Sequence, residues 1–174
     1  MNADLDRVLA DERLTLLGLF AETWASLTAR ANAHLAGYGI SGAEFEVCLR
    51  LARSPEGLLR MSDLAAQTAL TSSGITRVVD RLVERGLVTR RACATDRRTT
   101  YAVITDTGRD LLERLLPEHL ELLEEWLVGP LRGRGLDEFV ESLRLLRDLA
   151  APCATAGSEG GAVAELAAAE QALP

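Results

Sequence analysis

Four side chains at helical spacing, Ser72, Ser73, Thr76 and Arg77, share one face of a segment, and Arg81 extends it. The other face carries Ile75, Val78, Val79, Leu82 and Val83 at i, i+3, i+4, i+7 and i+8, the pattern of a half-buried helix. Such a polar face suits recognition rather than catalysis. Small hydroxyls let a helix approach the floor of a DNA major groove, and a guanidinium reaches a guanine edge or a phosphate. Further along, Arg90, Arg91, Arg97 and Arg98 surround a polar tip between two apolar runs. Arginines on a hairpin tip suit the negative potential of an adjacent minor groove. Alone, an arginine run is usually a solvated surface; the polar helix beside it gives it a nucleic-acid reading.

Other chemistries find little support. His34 and His119 are the two histidines, and neither has a histidine four residues away or a cysteine pair nearby. Glu118, His119, Glu121, Glu124 and Glu125 read as a solvated acidic face rather than a metal site. No G-x-S-x-G, P-loop or dinucleotide fingerprint is present, so neither an enzyme nor a cofactor is expected. Three cysteines, widely spaced, do not make a disulfide framework and fit a reducing cytoplasm. Cys48 lies in an apolar stretch and reads as an inert thiol. Cys93 is the redox candidate, because neighbouring arginines favour a thiolate, although a passive wing residue is the simpler reading.

The elements that must position these groups follow from periodicity and capping signals. A first helix is expected over 5–36, ending at Gly37-Tyr38-Gly39. Ser41 and Glu44 form a capping box, with Ile40 and Phe45 as its hydrophobic staple, so a second helix starts at Ser41 and ends near Ser54-Pro55-Glu56-Gly57. Ser62 is expected to cap a short helix and Thr71 the polar-faced one, which stops at a C′ glycine, Gly86. Leu87–Arg91 and Thr99–Ile104 read as two strands. Thr105 then caps a long helix that Pro117 should kink, and Asp137 opens a last one.

At 174 residues, 48% hydrophobic and 26% charged, the chain can bury a core. Its net charge of −7, taken whole, argues against a phosphate partner. The total hides a division: residues 60–104 hold eight arginines against four acids, a net +4, which leaves −11 for the remainder. No apolar run reaches the ~18 residues of a membrane span, and the acidic, amphipathic start is not expected to be a secretory signal. Residues 151–174 are rich in Ala, Gly, Ser and Glu and are expected to be a mobile tail.

The run TSSGITRVVDRLVERGLVTRRACATDRRTTYAVITDTG, Thr71–Gly108, resembles the multiple antibiotic resistance regulator (MarR) family of bacterial transcription factors. The resemblance lies in the capped recognition helix, RLVERGLVTR at the helix-to-strand junction, the Asp-Arg-Arg wing and the T-x-x-G start of the next helix. It covers about residues 5–150. It implies a mainly α fold with a small β-hairpin wing (α+β), a winged helix-turn-helix over 58–104 flanked by dimerisation helices over 5–54 and 105–150, all in a single domain, 1–150. It also implies a homodimeric repressor on double-stranded DNA with an inverted-repeat operator, its half-sites ~34–36 Å apart.

By the same resemblance, Ser72, Ser73, Thr76 and Arg77 occupy groove-reading positions. Arg98 is the wing arginine, Asp96 and Asp80 are the acids that orient it, and Arg97 shares the minor-groove or phosphate role. Family effectors, small aromatic or anionic molecules, bind between the dimer helices and the reading lobe. Trp24, His34, Tyr38, Phe45, Arg50 and Arg53 are the candidates to line such a pocket. Two alternatives stand beside this reading: a winged-helix protein-interaction module that does not bind DNA, and an oxidation-sensing regulator using Cys93.

Overall fold

A computed structural model describes residues 3–68, 70–93 and 99–150 of the chain. Two helices replace the single one expected at the start: α1, Ala3–Leu9, and α2, Glu12–Gly37. Asp11 causes the break. Its extended backbone and a carboxylate that accepts from the Arg13 N–H at 2.9 Å make it the N-cap of α2. The helix ends at Tyr38, followed by Gly39 at φ +67°.

The capping box then opens α3, Gly42–Arg53, as its residues dictate. The Ser41 hydroxyl accepts from Glu44 N–H, and Glu44 Oε2 accepts from Ser41 N–H at 2.9 Å. Ile40 and Phe45 are both buried in the same core. A 3-10 turn over Pro55–Gly57 leads into β1, Leu58–Arg60, a strand the sequence did not announce. The chain passes from β1 directly into α4, Met61–Gln67. Ser62 therefore does not cap this helix. Arg60, still extended from the strand, occupies the N-cap position, and the Ser62 hydroxyl donates to Asp63 instead at 3.1 Å.

Thr71 caps α5, Ser72–Glu84, by accepting from Gly74 N–H at 3.1 Å. Ile75, Val78, Val79 and Leu82 are buried as their spacing requires, while Val83 stays at the surface. Gly86, at φ +69°, ends the helix in a Schellman motif: its N–H donates to Val83 O and that of Leu87 to Leu82 O, both at 2.9 Å. Strands β2, Val88–Ala92, and β3, Thr100–Ile104, pair antiparallel from Val88 opposite Ile104 to Ala92 opposite Thr100. β1 pairs with the other edge of β3, giving the order β1-β3-β2. The fold is mainly helical with this small hairpin wing, a winged helix-turn-helix.

Thr105 caps α6, Asp106–Leu123, which passes through Pro117 without ending. The departure from α geometry comes later than Pro117, as a π turn over Glu124–Val128. A short α7, Gly129–Leu131, precedes α8, Leu136–Ala150. The core lies where α3, α5 and α6 meet the sheet, around Val47, Leu51, Leu64, Val79, Leu82 and Leu115. Gly108 brings α6 against the α5–β2 junction so closely that a Cβ there would sit 2.3 Å from Leu87 O.

Outside this core lies a second apolar surface. Leu5, Leu9, Leu16, Leu19, Phe20 and Trp24 on α1 and α2 are exposed, as are Val140, Leu143, Leu146 and Leu149 on α8. Phe20, Trp24, Val140, Leu143 and Leu146 line one apolar groove of about 790 Å³ between α2 and α8.

Candidate nucleic-acid interface

The recognition face is built by the two ends of α5. At its N-terminus the Thr71 cap turns the chain so that Ser72, Ser73, Thr76 and Arg77 are exposed on the side opposite the core. Thr76 Oγ1 donates back to Ser72 O at 2.8 Å, so its proton is used within the helix and the exposed hydroxyl is left to act as an acceptor. Arg77 carries no ion pair among the described residues.

Arg90, one of the hairpin arginines expected to face nucleic acid, instead braces this face to the wing. From β2 its Nη1 meets Asp80 Oδ1 at 2.5 Å, and its Nη2 donates to Thr76 O at 3.4 Å. Asp80 thus holds a wing-strand arginine. The acid-on-helix pattern was the signal available in the sequence; the choice of arginine was not. Asp96, Arg97 and Arg98 lie outside the described residues, and so does the pairing of Asp80 with Arg98.

Arg81 is placed differently from its neighbours. Its Nε donates to Glu44 Oε1 at 2.9 Å, and Arg85 Nη1 lies 3.6 Å from Glu44 Oε2. Burial pushes the Glu44 carboxyl up, but the Ser41 N–H, Arg81 and the Ser41 hydroxyl outweigh it and hold the group below its ordinary value.

The residues suggested for an effector pocket separate into groups. His34 and Tyr38 on α2 meet Phe45 on α3 through a residue not on that list, His119 of α6. His34 and His119 stack with centroids 5.3 Å apart, and Phe45 lies 4.9 Å from His119. The Tyr38 hydroxyl donates to Glu118 Oε2 at 2.9 Å. His34 Nε2 and His119 Nδ1 are buried without a hydrogen-bond partner among the described residues. Burial, then the charge of His34, pushes the His119 imidazole below its ordinary value. The buried row Leu111, Leu112, Leu115 continues at His119, and that periodicity could have revealed it. Trp24 is not in this group: it lines the α2–α8 groove, ten residues or about 15 Å up the helix from His34. Arg50 pairs with Glu46 at 2.7 Å, and Arg53 is exposed at the end of α3.

Cys48 is fully buried, and burial pushes its thiol up to about 12, the property of an inert core cysteine. Cys93 is half-buried at the end of the hairpin, its N–H donating to Thr99 O at 3.0 Å. Among the described residues no group of three or more His, Cys, Asp or Glu is placed to hold a metal ion. No helix there is long and apolar enough to cross a membrane.

Comparison with known proteins agrees with this geometry. A family model described as "MarR family" matches residues 38–99, from the end of α2 to the foot of β3. The HTH-type transcriptional regulator MhqR of Bacillus subtilis (strain 168) is 30% identical over 119 residues, which cover 68% of this chain and 81% of MhqR. Sco3205, a MarR family transcriptional regulator from Streptomyces coelicolor solved in complex with DNA, superposes with a TM-score of 0.75 at 26% identity, over 79% of this chain and 86% of that one. CouR from Rhodococcus jostii RHA1, solved bound to p-coumaroyl-CoA, gives a TM-score of 0.66 at 26% identity, over 77% and 90%. The polar recognition helix, its braced wing and these likenesses have one reading: the chain belongs to the MarR family of winged helix-turn-helix transcriptional regulators, and it is a regulator rather than an enzyme.

Proposed function

We propose that the chain is a homodimeric, cytoplasmic repressor that binds an inverted-repeat DNA operator and releases it when a small molecule binds. The observation that carries the reading is the exposed face of Ser72, Ser73, Thr76 and Arg77, held to the wing through Arg90 and Asp80. That face enters a major groove, with Arg77 reading a base or a phosphate. The wing arginines, Arg97 and Arg98, reach the adjacent minor groove, with Asp80 and Asp96 as orienting acids. The DNA complex of the similar Sco3205 supports this use of the fold. The exposed apolar faces of α1, α2 and α8 support pairing with a second copy, since monomers rarely leave surfaces of this kind uncovered.

The effector site favoured by the structure is the His34–Tyr38–Phe45–His119 cluster. Its two unpartnered imidazole nitrogens are polar groups that a bound molecule would satisfy. The ligand held by the similar CouR supports a small-molecule role. The cluster joins α2 to α3 and α6, so an occupant there changes how the helices that carry the dimer hold the reading lobe.

Sequencing duplex fragments selected by the purified protein tests the reading. An inverted repeat with half-sites about one helical turn apart is expected. Arg77→Ala should then weaken binding by ~1–3 kcal/mol and relax the base preference at one position of each half-site. Recovery of no enriched motif overturns sequence-specific DNA binding.

A further inference from the structure

In a complex with a helix in the major groove and a wing in the next minor groove, one sugar-phosphate strand must cross the gap between them. In this chain the gap is a recess of about 430 Å³ lined by Arg60, Met61, Ser62, Thr76, Arg90, Thr99 and Thr100. Three elements contribute to it: the β1–α4 junction, the outward face of α5, and the wing strands. Thr76 belongs to the recognition face itself, so the recess opens directly beside the groove-reading side chains.

The donors in the recess are arranged unequally. Arg90 is committed to Asp80 and Thr76 O. The Ser62 hydroxyl gives its proton to Asp63. Arg60 is exposed and uses only Nε, on the Tyr101 hydroxyl at 3.5 Å; its two Nη groups have no hydrogen bond among the described residues. Its aim is set by the strand that the sequence did not announce: Arg60 stands opposite Tyr101 in the β1–β3 register, at the point where the strand becomes α4. A guanidinium bonded through Nε, lining the recess and with no hydrogen bond from its terminal nitrogens among the described residues, can take a two-oxygen anion.

We propose that Arg60 is a DNA backbone contact, seating a phosphate of the strand that crosses between the recognition helix and the wing. The proposal rests on the DNA-binding reading above and adds to it a residue outside both the recognition helix and the wing tip. Because every sequence presents the same phosphate, Arg60 adds affinity and register without base preference.

The test is fluorescence anisotropy of the full chain on its selected operator and on a scrambled duplex, each over a series of salt concentrations. Arg60→Gln should weaken both duplexes by the same factor, on the order of tenfold, and lower the slope of log K against log salt by about 0.9 per chain bound. Arg60→Lys should restore the slope while recovering only part of the affinity, since it keeps the charge and loses the fork. Melting temperatures of both variants should match the wild type. A wild-type slope for Arg60→Gln, or a loss confined to the operator, overturns the proposal. A wild-type chain that binds neither duplex overturns the DNA-binding reading instead, and the two failures are thus distinct.

Discussion

Glu44, in the first turn of α3, holds Arg81, in the last turn of the recognition helix, by a 2.9 Å hydrogen bond across thirty-seven residues of chain. The same buried carboxylate closes the capping box on Ser41 and lies near Arg85. One side chain thus fixes both the start of a helix and the pose of the element proposed to face DNA. Glu44→Ala should destabilise the fold by ~1–3 kcal/mol in urea unfolding, from the lost cap and the lost ion pair. It should weaken the operator more than a scrambled duplex, since it disturbs pose rather than charge.

The pH dependence of that site has a definite sign. The folded Glu44 pKa is held below its unfolded value, so its contribution is present above about pH 4.3 and is lost as pH falls through the folded value. Acid unfolding of Glu44→Gln should begin from a lower stability and show a shallower dependence below that point. Equal slopes for variant and wild type would remove Glu44 from the acid transition.

His119 acts through the neutral form. Burial and His34 depress its folded pKa, so the unfolded chain binds more protons and stability falls as pH drops below about 6.5. Melting temperature should decline between about pH 6.5 and 5 in the wild type and decline less in His119→Gln. An unchanged profile in the variant would show that the buried stack is not what titrates.

Thr105 and Gly108 lock α6 to the foot of the wing. The Thr105 hydroxyl donates to Gly86 O at 2.7 Å and accepts from Gly108 N–H at 3.1 Å, while Leu87 O accepts from Thr105 N–H at 3.1 Å. Gly108→Ala drives a methyl into Leu87 O and should lower stability by ~1–3 kcal/mol. Thr105→Ala should lower it by ~0.5–2 kcal/mol. Differential scanning calorimetry measures both, and a neutral Gly108→Ala would mean that the α5–β2 junction can move away.

Arg90 and Asp80 are both partly exposed, so their pair should contribute only ~0.2–1 kcal/mol to folding. Its effect should appear in DNA binding, where the wing must keep register with α5. A double-mutant cycle of Arg90→Ala and Asp80→Ala on operator affinity should show a coupling of at least ~0.5 kcal/mol. Additive losses would mean that each residue meets DNA alone.

What the sequence showed well was local. Ser41, Thr71 and Thr105 each cap a helix with a partner three residues on, and Gly86 ends one by its own φ, so those boundaries are legible in a few letters. The polar face of α5 is legible because a period of 3.6 separates it from its buried side. β1 is not: three residues carry no alternation, and its pairing with β3 depends on chain more than forty residues away. The apolar run across 5–36 concealed the Asp11 cap because exposed and buried apolar residues look alike in sequence. In the site, Arg90, Arg81 and His119 are defined by what the folded chain places opposite them, which no local spacing records.

The uncovered apolar faces of α1, α2 and α8 bear on how much of this regulator the cell must hold. In the proposed homodimer only the pair can grip both half-sites. Below the dimerisation constant and far from operator saturation, occupancy then rises with the square of subunit concentration, so a twofold change in synthesis becomes about a fourfold change in bound operator. For the repressor proposed above, promoter silencing would then depend on gene dosage as well as on effector.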